Sequence, residues 1–282
     1  GVQTCALPIS TTPFRRERTG AMRFDGQTIL VTGASSGIGA GYAQEFARRG
    51  ANLIIVARSG DRLGSLASQL HEQYGINVEP FSTDLSVPGA PAGLLERIGH
   101  AGHLVDGVVN NAGFGDHGDV GSADPQRLSS MVTLNCTALV ELTRATLPRM
   151  IANRRGVIVN VASTAAFQPI PTMAVYAATK AFVRSFTEAL WYEVRGTGVR
   201  VLAISPGGTD TPFFIAANAT NTRMTARLKR SVDQVVATTF RGLEQGRPGI
   251  IDGRLNTILG TASRFSPTRL AMTISRAIVA KT

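Results

Sequence analysis

Short apolar runs recur along this chain, and each is followed by a stretch with helical spacing. The runs are Thr28–Thr32, Asn52–Ala57, 77–82, 104–110, 157–162, Val199–Ser205 and a shorter one at 249–252. Helical patterns cover 37–49, 61–74, a weaker stretch at 90–100, then 125–151, 173–194 and 231–245, with a loop and short helices expected over 206–230. Gly50 and Gly75 stop two of the helices, as glycine does past a helix C-terminus. Alternation of this kind predicts an α/β fold, a parallel sheet with helices on both faces. The runs are continuous rather than alternating, which is the pattern of strands buried on both sides. Right-handed crossovers then give strand order 3-2-1-4-5-6, with a seventh strand at the edge.

Composition narrows the partners. The chain of 282 residues is 43% hydrophobic and 17% charged, which suits one large α/β core. No apolar run reaches the ~18 residues of a membrane span. A net charge of +10 admits nucleic acid, a membrane surface or a phosphorylated ligand. The basic residues are scattered, without the interleaved aromatics of a single-strand binder, so nucleic acid is set aside. Cys5 and Cys136 are the two cysteines, too few for a disulfide framework or a zinc pattern. No metal-ligand set is visible, and His100 and His103 read as surface residues. A reducing cytoplasm fits this usage.

The two ends read differently from the middle. Residues 1–21 open GVQTCALPIS, which lacks the basic start and apolar core of a signal peptide. That stretch looks like translated sequencing-adaptor read-through, so 1–21 is expected to be disordered and Met22 to be the natural start. The tail 254–282 carries Arg254, Arg264, Arg269, Arg276 and Lys281 and no acid. Between them lie Leu255, Ile258, Leu259 and further apolar residues, so the tail is expected to be helical. A basic amphipathic segment can lie on an anionic membrane; packing on its own domain or on a partner subunit is the favoured alternative.

Two stretches carry chemistry. Thr32-Gly-Ala-Ser-Ser-Gly-Ile-Gly39 lies between the first strand and the first helix. Glycines there permit a tight turn and close backbone approach to phosphate, and the helix N-terminus adds N–H groups and a positive dipole end. The second stretch, Ser163 to Lys180, opens at a strand end and closes inside a helix. Tyr176 and Lys180 are four apart and share a helix face. A nearby cation favours a phenolate and lowers the pKa of tyrosine, toward the working pH that suits proton transfer. Ser163 could hold the oxygen that receives the proton. Tyr-x-x-x-Lys alone usually marks an amphipathic face with a snorkelling lysine; the surrounding motifs change that reading.

Those motifs are Gly33-x-x-x-Gly37-x-Gly39, Asn110-Asn-Ala-Gly113 after the fourth strand, Asn135 on the helix over 125–151, the trio Ser163, Tyr176 and Lys180, and Pro206-Gly-Gly-Thr-Asp-Thr211 after the sixth strand. Together, over residues 27–212, they resemble the short-chain dehydrogenase/reductase family in its shorter single-domain branch. The resemblance implies a Rossmann-type oxidoreductase domain over 22–253, acting on a carbonyl compound or secondary alcohol. It implies that Gly33, Ser35, Ser36, Gly37, Ile38 and Gly39 hold the pyrophosphate and adenosine half of a nicotinamide cofactor. Asp84 and Leu85 would flank the adenine, and Asn111, Ala112 and Gly113 the ribose. Pro206, Gly207, Thr209 and Thr211 would form the nicotinamide-side loop. Tyr176 would be the acid/base and Ser163 the oxygen holder. Lys180 would bind ribose and lower the Tyr176 pKa, and Asn135 would hold a relay water. A homodimer or homotetramer, pairing the helices over 125–151 and 173–194, is also implied.

The second strand ends Val56-Ala57-Arg58-Ser59. An acid there would bond a ribose 2′-hydroxyl and repel a 2′-phosphate, whereas Arg58 can pair with phosphate. The cofactor is therefore expected to be NADP(H) rather than NAD(H), with Asp61 read as the start of the next helix. Phe114, Phe167, Ile170, Phe213 and Phe214 are expected around an apolar substrate, and His117 as a solvated loop residue. The loop 209–230 is expected to be a lid that sets specificity. Two rival readings are a non-catalytic cofactor sensor or scaffold on the same fold and a sugar-nucleotide epimerase. Sensors typically lack the tyrosine or the lysine, and an epimerase would want a different glycine turn.

Overall fold

A computed structural model of the chain describes residues 21–213, 217, 230–263 and 267–279. Residues 1–20, Phe214 and most of the expected lid lie outside the described residues. One parallel sheet of seven strands runs β3-β2-β1-β4-β5-β6-β7. Its strands are β1 (Thr28–Thr32), β2 (Asn52–Ala57), β3 (Val78–Ser82), β4 (Gly107–Asn110), β5 (Gly156–Val161), β6 (Val199–Ser205) and β7 (Gly249–Ile251). The order is the one the crossover argument gives. In register, Ile29 of β1 faces Leu53 of β2 on one side and Gly107 of β4 on the other.

The apolar runs supply both faces of the sheet, because successive strand residues point opposite ways. Ile29, Val31, Leu53, Ile55 and Val159 pack against α1 (Gly37–Arg48), α2 (Gly60–Tyr74) and the later helix over Val232–Glu244. Leu30, Ile54, Val56, Val108 and Ile158 pack against α3 (Ala90–His100), α5 (Ala138–Ala152) and α6 (Ala174–Glu193). Tyr42, Phe46 and Phe240 are fully buried on the first face, each contributing on the order of 1.5–3 kcal/mol.

Two expectations need correction. The fourth strand starts at Gly107, not 104. Leu104 is 58% exposed, and the Asp106 carboxylate turns aside to accept from the Thr28 N–H at 3.0 Å. The helix expected over 125–151 is α4 (Pro125–Val132) and α5, joined by a π-turn at Thr133–Thr137. Such widened turns are frequent at functional sites. Past β7, the tail is helical as expected and follows the favoured alternative of packing on its own domain. With Val232–Glu244 as α7, it forms α8 (Arg254–Ser263) and α9 (Thr268–Val279). Both pack on the domain's own chain: Ser263 Oγ donates to the Phe167 carbonyl at 3.3 Å and Ser275 Oγ to the Pro169 carbonyl at 3.0 Å. Among the described residues no helix is long and apolar enough to cross a membrane.

Candidate active site

The carboxyl ends of β1, β2, β4, β5 and β6 open onto one cleft of about 1030 Å³. At its first wall, Gly33 and Gly37 have φ of +68° and +56°, the left-handed region that side chains resist. Ser36 precedes α1 in extended conformation and makes no side-chain cap bond to it, so first-turn N–H groups are left for another acceptor. Gly33, Ser35, Ser36, Gly37 and Ile38 line the cleft. Gly39 is not among the lining residues: it is buried, and a Cβ there would collide with the Gly33 carbonyl oxygen. The missing side chain lets α1 pack closely on the turn.

Beyond β2 the wall is basic, with Arg58, Ser59 and Arg62. Asp61 sits in the first turn of α2 and is not part of the lining. Asp84 and Leu85 follow β3 and do line it. Partial burial works against the Asp84 charge, but bonds from the Ser86 hydroxyl and N–H and the nearby Arg58 outweigh it and hold the carboxyl below its ordinary range.

The floor is built by side chains that tie backbone to backbone. Thr32 Oγ1 donates to the Val109 carbonyl and accepts from the N–H groups of Asn111 and Ala112, both at 3.0 Å. Asn111 Nδ2 donates back to the Thr32 carbonyl at 2.9 Å. Asn111, Ala112 and Gly113 are thereby fixed along the cleft. Behind them, Asn110 Nδ2 donates to Asn160 Oδ1 at 2.8 Å, and Asn160 Nδ2 donates to Thr187 Oγ1 at 2.9 Å. Asn160 and Thr187 carry no local signature in the sequence, because each is a lone buried polar residue inside an apolar strand or helix, and Thr32, though it opens the glycine motif, shows its bracing role only in the fold.

Asn135 is 2% exposed and lies behind the cleft rather than on its wall. Its Oδ1 accepts from the Phe114 N–H, and its Nδ2 donates to the Phe114 carbonyl at 3.0 Å and to Thr179 Oγ1 at 3.0 Å. The amide is therefore a strut between α6 and the loop after β4, engaged at both ends.

Ser163, Tyr176 and Lys180 meet at the cleft floor. Ser163 caps the 3₁₀ turn Thr164–Phe167, its Oγ accepting from the Ala165 N–H at 3.1 Å. Burial pushes the Tyr176 phenol up to about 12, against the opposing pull of the Ser163 hydroxyl. Burial also brings the Lys180 ammonium down to about 8, with the Cys136 thiol opposing. Lys180 Nζ donates to the Val161 carbonyl at 2.7 Å and sits 5.9 Å from the Tyr176 ring centroid. The expectation of a lowered tyrosine pKa is thus overturned for the chain by itself: desolvation dominates, and the ammonium is turned to a carbonyl. At neutral pH the arrangement holds a protonated phenol beside a hydroxyl, a pair able to donate to a growing oxyanion.

The last wall comes from after β6 and from the tail. Pro206, Gly207, Thr209 and Thr211 all line the cleft, and the Thr211 methyl packs under Gly37. Thr209 also bridges to Arg230, whose guanidinium forks onto Asp252 at 2.9 and 3.0 Å. Asn256, Leu259, Ser263 and Ser275 of α8 and α9 complete the wall, a contribution to the site that the tail's amphipathic pattern does not announce. Phe114, Ile170 and Phe213 line the cleft as expected. Phe167 does not: its ring lies under Arg184 at 4.4 Å, on the far side of α8. The His117 ring nitrogen shares a hydrogen bond with Thr172 Oγ1 at 3.1 Å.

A doubly wound sheet with a glycine turn, a helix N-terminus and a Ser–Tyr–Lys floor at one edge defines a nucleotide-binding oxidoreductase architecture, and the comparisons agree. The sequence model described as short chain dehydrogenase matches residues 27–222. An uncharacterised oxidoreductase of Staphylococcus epidermidis is 37% identical over 66% of this chain and 80% of its own length. A short-chain dehydrogenase from Sphingobium yanoikuyae, solved in complex with NADPH, is 36% identical with a TM-score of 0.74, over 80% of this chain and 87% of that one. The bulky-bulky ketone specific alcohol dehydrogenase from Comamonas testosteroni is 32% identical with a TM-score of 0.70, over 85% and 92%. The chain belongs to the short chain dehydrogenase family, and it is an oxidoreductase.

Proposed function

We propose that this protein is an NADP(H)-dependent oxidoreductase that interconverts a bulky apolar carbonyl compound and its secondary alcohol. The observation that carries the reading is the convergence of Ser163, Tyr176 and Lys180 on the floor of a cleft whose far wall is the α1 N-terminus. The cofactor supplies or accepts the hydride; the chain's own residues do the rest. The first turn of α1 offers N–H groups to a pyrophosphate. Arg58, with Arg62 beside it, faces a 2′-phosphate, and the Sphingobium relative carries NADPH. Lys180, re-aimed from Val161, meets ribose hydroxyls. Ser163 donates to the substrate oxygen, and Tyr176 passes it a proton as negative charge grows there, which stabilises the transition state more than the ground state. Asn135 holds Phe114 and so positions the wall opposite; its relay-water role is retained as part of this reading.

Phe114, Ile170, Met173, Phe213 and Leu259 give the substrate end an apolar surface, which suits a bulky carbonyl compound. The ketone-specific relative from Comamonas points the same way. The outer faces of α4, α5 and α6 carry exposed Val132, Ile151, Phe182 and Tyr192, and Phe182 stacks on Phe186 with centroids 6.0 Å apart. These faces support a two-fold homo-oligomer. The test of function is NADPH oxidation with a panel of carbonyl compounds. Turnover of bulky aryl or alkyl ketones well above that of acetone is expected; no turnover with any carbonyl compound would sink the proposal.

A further inference from the structure

A second cleft, of about 400 Å³, lies on the opposite side of α8 from the first. It runs along β7, which pairs with β6 alone and so leaves its outer edge open. Arg184, Arg241, Arg247 and Arg254 line it, approaching from α6, from α7 and from both ends of β7. Glu188 is the one carboxylate in the lining, and it is taken by Arg184 at 2.9 Å. Arg241, Arg247 and Arg254 make no side-chain hydrogen bond or ion pair among the described residues. Neighbouring cations repel one another, and a cleft with an excess of one sign of charge concentrates counter-ions.

We propose that this cleft is a second anion site, built for a small molecule bearing two or more phosphate groups and distinct from the cofactor groove. Guanidinium forks match phosphate oxygens two at a time. The volume falls in the range of small-ligand pockets. Thr261 also lies in the lining, beside Thr257, whose hydroxyl donates to the Gly253 carbonyl at 2.9 Å. A second copy of this chain is the poorer occupant, since an isologous contact would set the same arginines against one another. Residues 254, 257 and 261 share one face of α8, while 256, 259, 260 and 263 share the face in the first cleft. One helix therefore separates the two ligands.

The experiment is calorimetric titration of inorganic pyrophosphate into protein saturated with NADP+, so that the cofactor groove is filled. One saturable site is expected, weaker for orthophosphate. It should weaken at least about tenfold in the double variant Arg241→Gln with Arg247→Gln, from the loss of two charge-assisted contacts, with NADP+ affinity unchanged. Both side chains are exposed, so the fold is not at risk, and Arg254→Gln should weaken the site independently. The proposal is overturned by no saturable binding, by equal binding in the variants, by loss of binding once NADP+ is added, or by tighter binding of tricarballylate than of pyrophosphate.

Discussion

The Lys180 ammonium donates to the Val161 carbonyl oxygen across 2.7 Å while only 6% of the residue is exposed. Burial holds its pKa near 8, below the ordinary 10.5. Between those values the unfolded chain binds the proton that the folded chain has released. Lys180 therefore adds stability as pH rises through this window, and that stability is lost as pH falls through 8. The full change is on the order of 3 kcal/mol. Urea unfolding of wild type and Lys180→Met should diverge steadily from pH 8 to 10.5, the wild type gaining. A constant difference across the window would show that the ammonium is not desolvated.

Asp252 is fully buried, and it accepts both from Arg230 and from Thr238 Oγ1 at 2.7 Å. Removing either partner leaves the other, but the two losses are unequal. The Arg230 side chain is 32% exposed and can turn to water, whereas Asp252 cannot. Arg230→Ala should therefore cost about 3–5 kcal/mol, the penalty of a stranded buried charge. Asp252→Asn should cost less, about 2 kcal/mol. Chemical denaturation midpoints check the order.

Arg58→Ala should lower kcat/KM for NADPH roughly 10- to 100-fold, the worth of a charge-assisted contact, and leave the NADH value little changed. Steady-state kinetics with both cofactors decide it. Equal losses with both would mean that Arg58 does not read the 2′-phosphate.

Phe182 is 43% exposed on α6 and stacked on Phe186. Phe182→Glu places a charge on the face proposed to pair across the two-fold. Light scattering should report a smaller assembly than wild type; an unchanged mass would move the interface elsewhere.

Much of this was legible in the sequence, and the misses share one cause. β1, β2 and β6 begin and end at the residues their apolar runs mark, because both faces are buried and glycines or charged turns flank them. The glycine turn and the Ser163–Tyr176–Lys180 floor are carried by local spacing and were readable too. The π-turn at Thr133–Thr137 was not. Its residues keep helical spacing, and the turn is braced by Asn135 bonding to Phe114, 21 positions away. Phe167 looked like a substrate residue from its neighbours, but α8 and Arg184 decide which way it faces. The direction of the Tyr176 pKa depends on how deeply the pocket buries it, which no spacing reveals.

Tyr176→Phe tests the central claim most directly, because the ring still packs against Phe213, 5.4 Å away between centroids, while the transferable proton is gone. NADPH binding and turnover of a bulky ketone are measured on the same preparation. The account predicts an unchanged NADPH dissociation constant with kcat reduced ~10²–10⁴-fold, the usual worth of a general acid–base group. Turnover near that of wild type, with the cofactor bound as before, would contradict it.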